Sequence, residues 1–120
     1  MRYVDFVLTG DPARARTTTV EALEAWQFRI AWTDEWTGSA EKGSRTANVL
    51  LGGFAQHYHF GLEVRSLEGE RSLVRVKSFK SGWWGGLLGV MKTKKRLRKV
   101  RERLEAAFSG AGVLVSVTDG

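Results

Sequence analysis

The chain has 120 residues, of which 42% are hydrophobic and 27% charged, so it has the composition of one globular domain and is too apolar for a disordered protein. It contains no cysteine, which excludes disulfides, thiolate metal sites and a thiol nucleophile. The net charge of +6 is unevenly divided along the chain. Residues 1–70 contain seven basic and ten acidic residues, whereas residues 71–120 contain twelve basic and three acidic residues. This asymmetry favours an anionic partner for the C-terminal half.

The N-terminal elements are predicted to be a short strand and a helix. Residues 3–9 are rich in strand-forming side chains. Asp11 and Pro12 have the residue types preferred at a helix N-cap and first position, and a capping-box spacing at Thr18 offers a second start. We therefore expect a helix over about 12–27. Its apolar stripe is formed by Val20, Leu23 and Trp26.

The sequence has no feature of secretion or membrane insertion. The N-terminal segment lacks the long apolar core of a signal peptide. No stretch approaches the roughly 18 uncharged apolar residues of a membrane-spanning helix. We therefore expect a cytoplasmic protein.

Strands are predicted for the middle of the chain. Apolar residues alternate with polar ones from Phe28 to Trp36, which indicates one strand, and Thr37-Gly38-Ser39 and Gly43-Ser44 have the composition of turns. Glu68-Gly69-Glu70 is predicted to be a hairpin loop that leads to a strand over 73–77. The strand before this loop is expected to bury one face, formed by Phe54, Tyr58, Phe60, Leu62 and Val64.

A long helix is predicted near the C-terminus, over about 90–109. It is followed by Gly110 and Gly112, which favour a helix end, and residues 113–117 are compatible with a last strand. Its apolar residues keep mostly to three- and four-residue steps, so one narrow stripe should face the core. The stripe residues are Leu87, Val90, Met91, Leu97, Val100, Leu104 and Phe108.

The predicted fold is a single α+β domain over residues 1–120, of order β-α-β(4)-α, with a possible terminal strand. Over about residues 3–109 this element order resembles the TATA-binding-protein-like, or helix-grip, arrangement, in which a long C-terminal helix covers a curved antiparallel sheet. The resemblance is one of element order and includes no family motif. It implies either DNA binding through the sheet or a lipid or hormone held between sheet and helix. A ferredoxin-like fold is the alternative.

The polar residues predict neither a metal site nor an active site. His57 and His59 should share a strand face and could supply two ligands of a zinc site. Glu63 lies about 13 Å further along that strand, which is too far for it to be the third ligand. Only a carboxylate from a neighbouring strand, such as Glu35 or Glu41, could complete the site. No nucleophile elbow or phosphate-binding loop is present, and no facing carboxylate pair is established. We therefore expect no metal, no cofactor and no catalytic residue.

Two apolar stretches with adjacent glycines, 48–55 and 83–91, are compatible either with close packing of helix on sheet or with exposed apolar tips. The second precedes a basic run with eight cationic residues in positions 92–103. Tryptophan prefers the bilayer interface, and basic residues are attracted to anionic lipid. The predicted partner-binding residues are Trp83, Trp84, Leu87, Leu88, Lys92, Lys94, Lys95, Arg96, Arg98, Lys99, Arg101 and Arg103.

The leading hypothesis is a non-catalytic binding module for an anionic amphipathic partner, with a membrane surface first. One alternative is a carrier of a small apolar ligand, whose pocket would be lined by Trp32, Tyr58 and Phe60. Others are non-specific nucleic-acid binding and a structural subunit of a homo-oligomer. Sequence-specific recognition of DNA bases is not favoured, because Asn and Gln side chains commonly bind base edges and the chain contains only one Asn and two Gln. A merely solvated basic helix is also compatible with the sequence.

Overall fold

A computed structural model of the protein describes residues 2–43, 58–78 and 86–120. In this part of the chain, six strands form one antiparallel sheet that two helices cover, so the predicted α+β class is confirmed. The elements in chain order are β1 (Tyr3–Thr9), α1 (Pro12–Ala25), β2 (Arg29–Trp32), β3 (Thr37–Lys42), β4 (Tyr58–Leu67), β5 (Arg71–Ser78), α2 (Gly86–Gly110) and β6 (Leu114–Asp119).

The sheet has the strand order β2-β3-β4-β5-β1-β6. Strands β2 to β5 pair with their neighbours in sequence, and β1 enters between β5 and β6. The N-terminal strand β1 is thus an interior strand that is paired on both sides, while β2 and β6 are the edges. The terminal strand that the sequence left as a possibility is present as β6.

One face of the sheet forms the core with both helices. Alternate residues of β4, from Tyr58 to Val64, are buried on this face, as predicted. From α2, Leu97 is fully buried and the Phe108 ring packs edge-on against Phe6, with centroids 5.2 Å apart. Burial of a large apolar side chain contributes about 1.5–3 kcal/mol, so this stripe holds α2 on the sheet. The predicted stripe is confirmed at Leu97, Val100, Leu104 and Phe108.

Helix α1 begins at the first of its two predicted starts. The Asp11 side chain accepts a hydrogen bond from the Arg14 N–H at 2.8 Å, with Pro12 in the first turn. The capping box at Thr18 is wrong, because the Thr18 hydroxyl lies inside the helix and donates to the Arg14 carbonyl. The buried residues of α1 are Ala15, Thr19 and Leu23, so the expected apolar stripe is confirmed only at Leu23. Val20 and Trp26 are only partly buried.

The prediction of one strand from Phe28 to Trp36 is wrong, because the chain turns after Trp32. In this turn, the Asp34 carboxylate accepts hydrogen bonds from the Trp36 and Thr37 N–H groups, each at 2.8 Å. The turn expected at Thr37-Gly38-Ser39 is instead the start of β3. A Cβ atom at Gly38 would lie 2.6 Å from the Ala31 carbonyl oxygen, so glycine is needed here for close strand approach.

Candidate functional site

The sheet face away from the helices carries several basic side chains, and four of them are paired. Arg75 binds both carboxylate oxygens of Asp5, at 2.7 and 2.9 Å. Glu63 accepts from Lys77 at 2.6 Å and from Arg65 at 3.1 Å. The hydrogen bond from Lys77 is the main reason that the pKa of Glu63 is below its usual value.

At the edge of the same face, Arg29 lies 3.3 Å from Glu41. The four paired basic residues, Arg29, Arg65, Arg75 and Lys77, therefore present little net positive charge to solvent. This face is a poor place to attract a polyanion.

On helix α2, in contrast to the sheet face, most of the described basic side chains have no carboxylate partner within the described residues. The only ion pair of α2 within the described residues joins Arg101 to Asp119 on β6, at 2.8 Å. The cations that have no carboxylate partner in the described part of the chain are Lys94, Lys95, Arg96, Arg98, Lys99 and Arg103. Because the apolar stripe faces the sheet, Lys95 and Arg98 are exposed on the outer side. The structure thus separates Arg101 from the rest of the predicted basic run.

Cations from two elements converge on one aromatic ring at the end of α1. The Nζ atom of Lys42, the last residue of β3, and the Cζ atom of Arg103 each lie 4.7 Å from the centroid of Trp26. The pKa of Lys42 is lowered, first by burial and then by the charges of Arg103 and Lys99. We call Trp26, Lys42, Lys99 and Arg103 the Trp26 cluster.

A cleft between α1 and α2 adjoins this cluster, with a volume of about 230 Å³. Trp26 and Arg103 belong to both the cleft and the cluster. The rest of the lining is apolar and mostly small: Ala22, Ala25, Leu104 and Ala107. An apolar surface and a positive surface therefore meet at one place.

The three residues proposed for an apolar pocket are not equivalent in the structure. Tyr58 and Phe60 are buried in the core, where their rings lie 5.8 and 6.4 Å from that of Phe28. Burial raises the pKa of Tyr58, and the nearby Arg96, 5.8 Å from its ring, partly opposes this effect. Trp32 lies on β2, where the Arg16 guanidinium covers its ring at 4.2 Å.

Part of the predicted partner-binding set falls outside the described residues. This applies to Trp83 and Trp84. The other apolar stretch with adjacent glycines, 48–55, also lies outside the described residues. The backbone of Leu87, Leu88 and Lys92 belongs to α2, while their side chains are outside the described part.

The histidine pair is described only at His59, since His57 also lies outside the described residues. His59 is exposed on the sheet face away from the helices, directly across from Glu41 on β3. Within the ranges that the structure describes, no group of three metal-ligating side chains is close enough to hold an ion. The expectation of no metal stays a prediction.

Sequence reasoning missed Trp26 and Lys42 as members of a charged site. In the sequence, the spacing of Trp26 indicates only an apolar stripe, and Lys42 is an isolated lysine between two segments with the composition of turns. Their meeting with α2 depends on the pairing of β3 with β4 and the packing of α1 against α2. No local pattern in the sequence signals that meeting.

As far as the described residues go, neither helix combines the length and the apolar character needed to cross a membrane. No protein-family model matches the chain, and no curated protein is similar to it in sequence. The geometry of the charged surfaces is therefore the basis for a functional proposal.

Proposed function

We propose that the protein is a non-catalytic binding module for an anionic amphipathic partner, and that this partner is a membrane surface. The observation that carries the proposal is the division of positive charge: the sheet-face cations named above are paired, whereas most described cations of α2 are not. Unpaired cations on one outer surface attract anionic lipid, which is concentrated in the cytoplasmic leaflet. The proposal therefore places the protein in the cytoplasm.

The electrostatic contribution alone is modest. Each Lys or Arg close to an anionic surface contributes about 1 kcal/mol. The exposed cations in the described part of α2 therefore give about 5 kcal/mol; they are Lys94, Lys95, Arg98, Lys99 and Arg103. Micromolar binding needs about 8 kcal/mol, so a second, apolar contribution is required. We assign it to Trp83 and Trp84 with Leu87 and Leu88, which lie on the N-terminal side of the basic run in the sequence.

The helix-grip resemblance is part of the proposal, and the packing of α2 on one face of the sheet supports it. That class also includes DNA binders that use the sheet. Here the paired charges of Arg75, Lys77 and Arg65 favour the helix side over the sheet as the binding surface. The carrier alternative has less support, because Tyr58 and Phe60 are packed in the core.

Vesicle co-sedimentation tests the proposal when it is run beside a DNA titration at several salt concentrations. We expect binding to vesicles that contain phosphatidylserine, little binding to phosphatidylcholine alone, and weakening as salt rises, since the screening length is about 10 Å at 0.1 M. Replacement of Trp83 and Trp84 by Ala should weaken vesicle binding at every salt concentration, because the apolar contribution is not screened.

A charge reversal of Lys94, Lys95 and Arg98 to Glu is the companion variant, and it should weaken vesicle binding chiefly at low salt. Equal, weak and salt-sensitive binding to vesicles and to DNA would contradict the proposal. It would show that the basic surface of α2 attracts any polyanion.

A further inference from the structure

The cations of the Trp26 cluster repel one another. Lys42 comes from the end of β3, whereas Lys99 and Arg103 come from α2, and the charges of both α2 residues lower the pKa of Lys42. Within the described ranges, none of the three forms an ion pair. The fold therefore brings positive charges together without a carboxylate between them, and a bound anion would relieve that repulsion.

We propose that the Trp26 cluster binds the phosphate of a lipid headgroup, which deepens the membrane proposal above and rests on it. Arg103 offers the planar, two-pronged donor geometry that suits phosphate, and Lys42 is a point charge beside the same Trp26 ring. Lys99 adds a third positive charge, which acts on Lys42. Three positive charges suit a phosphomonoester, which carries about −1.5 to −2 at neutral pH. All exposed cations of α2 attract the membrane surface as a whole, and the cluster in addition selects the headgroup.

The cleft beside the cluster distinguishes a surface-bound lipid from a fully enclosed ligand. Its volume of about 230 Å³ falls below the range of about 300–1,000 Å³ for pockets that enclose drug-sized molecules. It is sufficient for a glycerol unit and the first carbons of an acyl chain. Trp26 and Arg103 line both surfaces, so a phosphate at the cluster places the adjacent carbons against Ala22, Ala25 and Ala107.

Titration with soluble probes tests this site without a membrane. The probes are inorganic phosphate and dihexanoyl phosphatidic acid below its micelle concentration, and the readouts are calorimetry and the NMR signals of Lys42 Nζ and Arg103 Nε. We expect the short-chain lipid to bind more tightly than inorganic phosphate and to raise the pKa of Lys42. Equal affinity for both probes would overturn the assignment to a lipid and identify a site for free phosphate.

Matched variants test the residues. Lys42→Gln and Arg103→Gln should each weaken binding of the short-chain lipid about tenfold or more, since a hydrogen bond to a charged group is lost. The control Lys95→Gln removes the same charge from the exposed side of α2 and should change binding less than about threefold, because an exposed charge outside the contact is screened by water and salt. Equal losses in all three variants would contradict a localised site, and circular dichroism of each variant shows whether it is folded.

The same variants separate this inference from the proposed function. Lys42→Gln should still bind phosphatidylserine vesicles while it loses the preference for phosphatidic acid over phosphatidylserine. If the unaltered protein binds the soluble lipid but no vesicle, the membrane proposal fails and the phosphate site stands. If it binds vesicles but no soluble probe, the phosphate site fails and the membrane proposal stands.

Discussion

Glu63 binds two of the basic side chains on the sheet face away from the helices. Its carboxylate accepts from Lys77 and Arg65, and Gly61 on the same strand makes room for the Lys77 stem, because a Cβ there would lie 3.0 Å from Lys77 Cγ. The hydrogen bond from Lys77 lowers the pKa of Glu63 most, and the neighbouring positive charges lower it further. Glu63 is therefore a residue whose ionisation is linked to folding.

The lowered pKa of Glu63 predicts a loss of stability in acid. Its folded pKa lies below the unfolded value of about 4.5, so between the two values the unfolded state binds more protons. The contribution is present above pH 4.5 and is lost as pH falls through the folded pKa. Urea unfolding as a function of pH should therefore show a smaller acid slope for Glu63→Gln than for the unaltered protein.

Glu68→Gln is the control, since Glu68 lies exposed in the β4–β5 hairpin loop and forms no ion pair within the described ranges. It should leave the acid slope unchanged. The same reduction in slope for both variants would show that general charge, rather than the contact of Glu63 with Lys77, sets the pH dependence.

At the residue scale, the sequence predicted which side chains carry charge but not which of them are neutralised. Arg101 and Arg103 are two positions apart in the same basic run. Arg101 meets Asp119 of β6, whereas Arg103 faces Trp26 on the side of α1. Their separation follows from the 3.6-residue helical repeat together with the positions of two distant elements, and only the first of these is readable from sequence.

At the scale of elements, α2 was the most predictable part of the fold. Three- and four-residue steps between large apolar side chains dictate one buried stripe, and Leu97, Val100 and Leu104 are all buried. The β2–β3 turn was missed because apolar alternation continued through it to Trp36. Turn formation there depends on one carboxylate, Asp34, whose hydrogen bonds to the backbone outweigh the pattern.

The burial of Leu97 predicts a large effect of truncation. Leu97→Ala should lower the free energy of unfolding by about 2–5 kcal/mol, because it removes buried apolar surface and leaves a cavity. Urea unfolding measures this value. Lys95→Ala, two positions away on the exposed side, should change it by no more than about 0.5 kcal/mol. A change for Leu97→Ala as small as that of the control would contradict the packing of α2 on the sheet.

At the scale of the whole molecule, the sequence predicted the α+β class and the charge asymmetry between the two halves, but not the Trp26 cluster. Lys42 and Arg103 are brought together only when β3 joins the sheet and α2 crosses the same face. Sequence separations of that size leave no periodic signal. The division of charge between a paired sheet face and an unpaired helix surface likewise exists only in the folded protein.

The central claim is that the position of the cations on α2, rather than net charge, drives membrane binding, and two charge-matched double variants test it most directly. Lys95→Gln with Arg98→Gln removes two exposed charges from α2, and Arg65→Gln with Arg71→Gln removes two from the sheet. On vesicles containing phosphatidylserine, the α2 variant should lose about 2 kcal/mol, or roughly thirtyfold in affinity, and the sheet variant less than about threefold. Equal losses would contradict the claim.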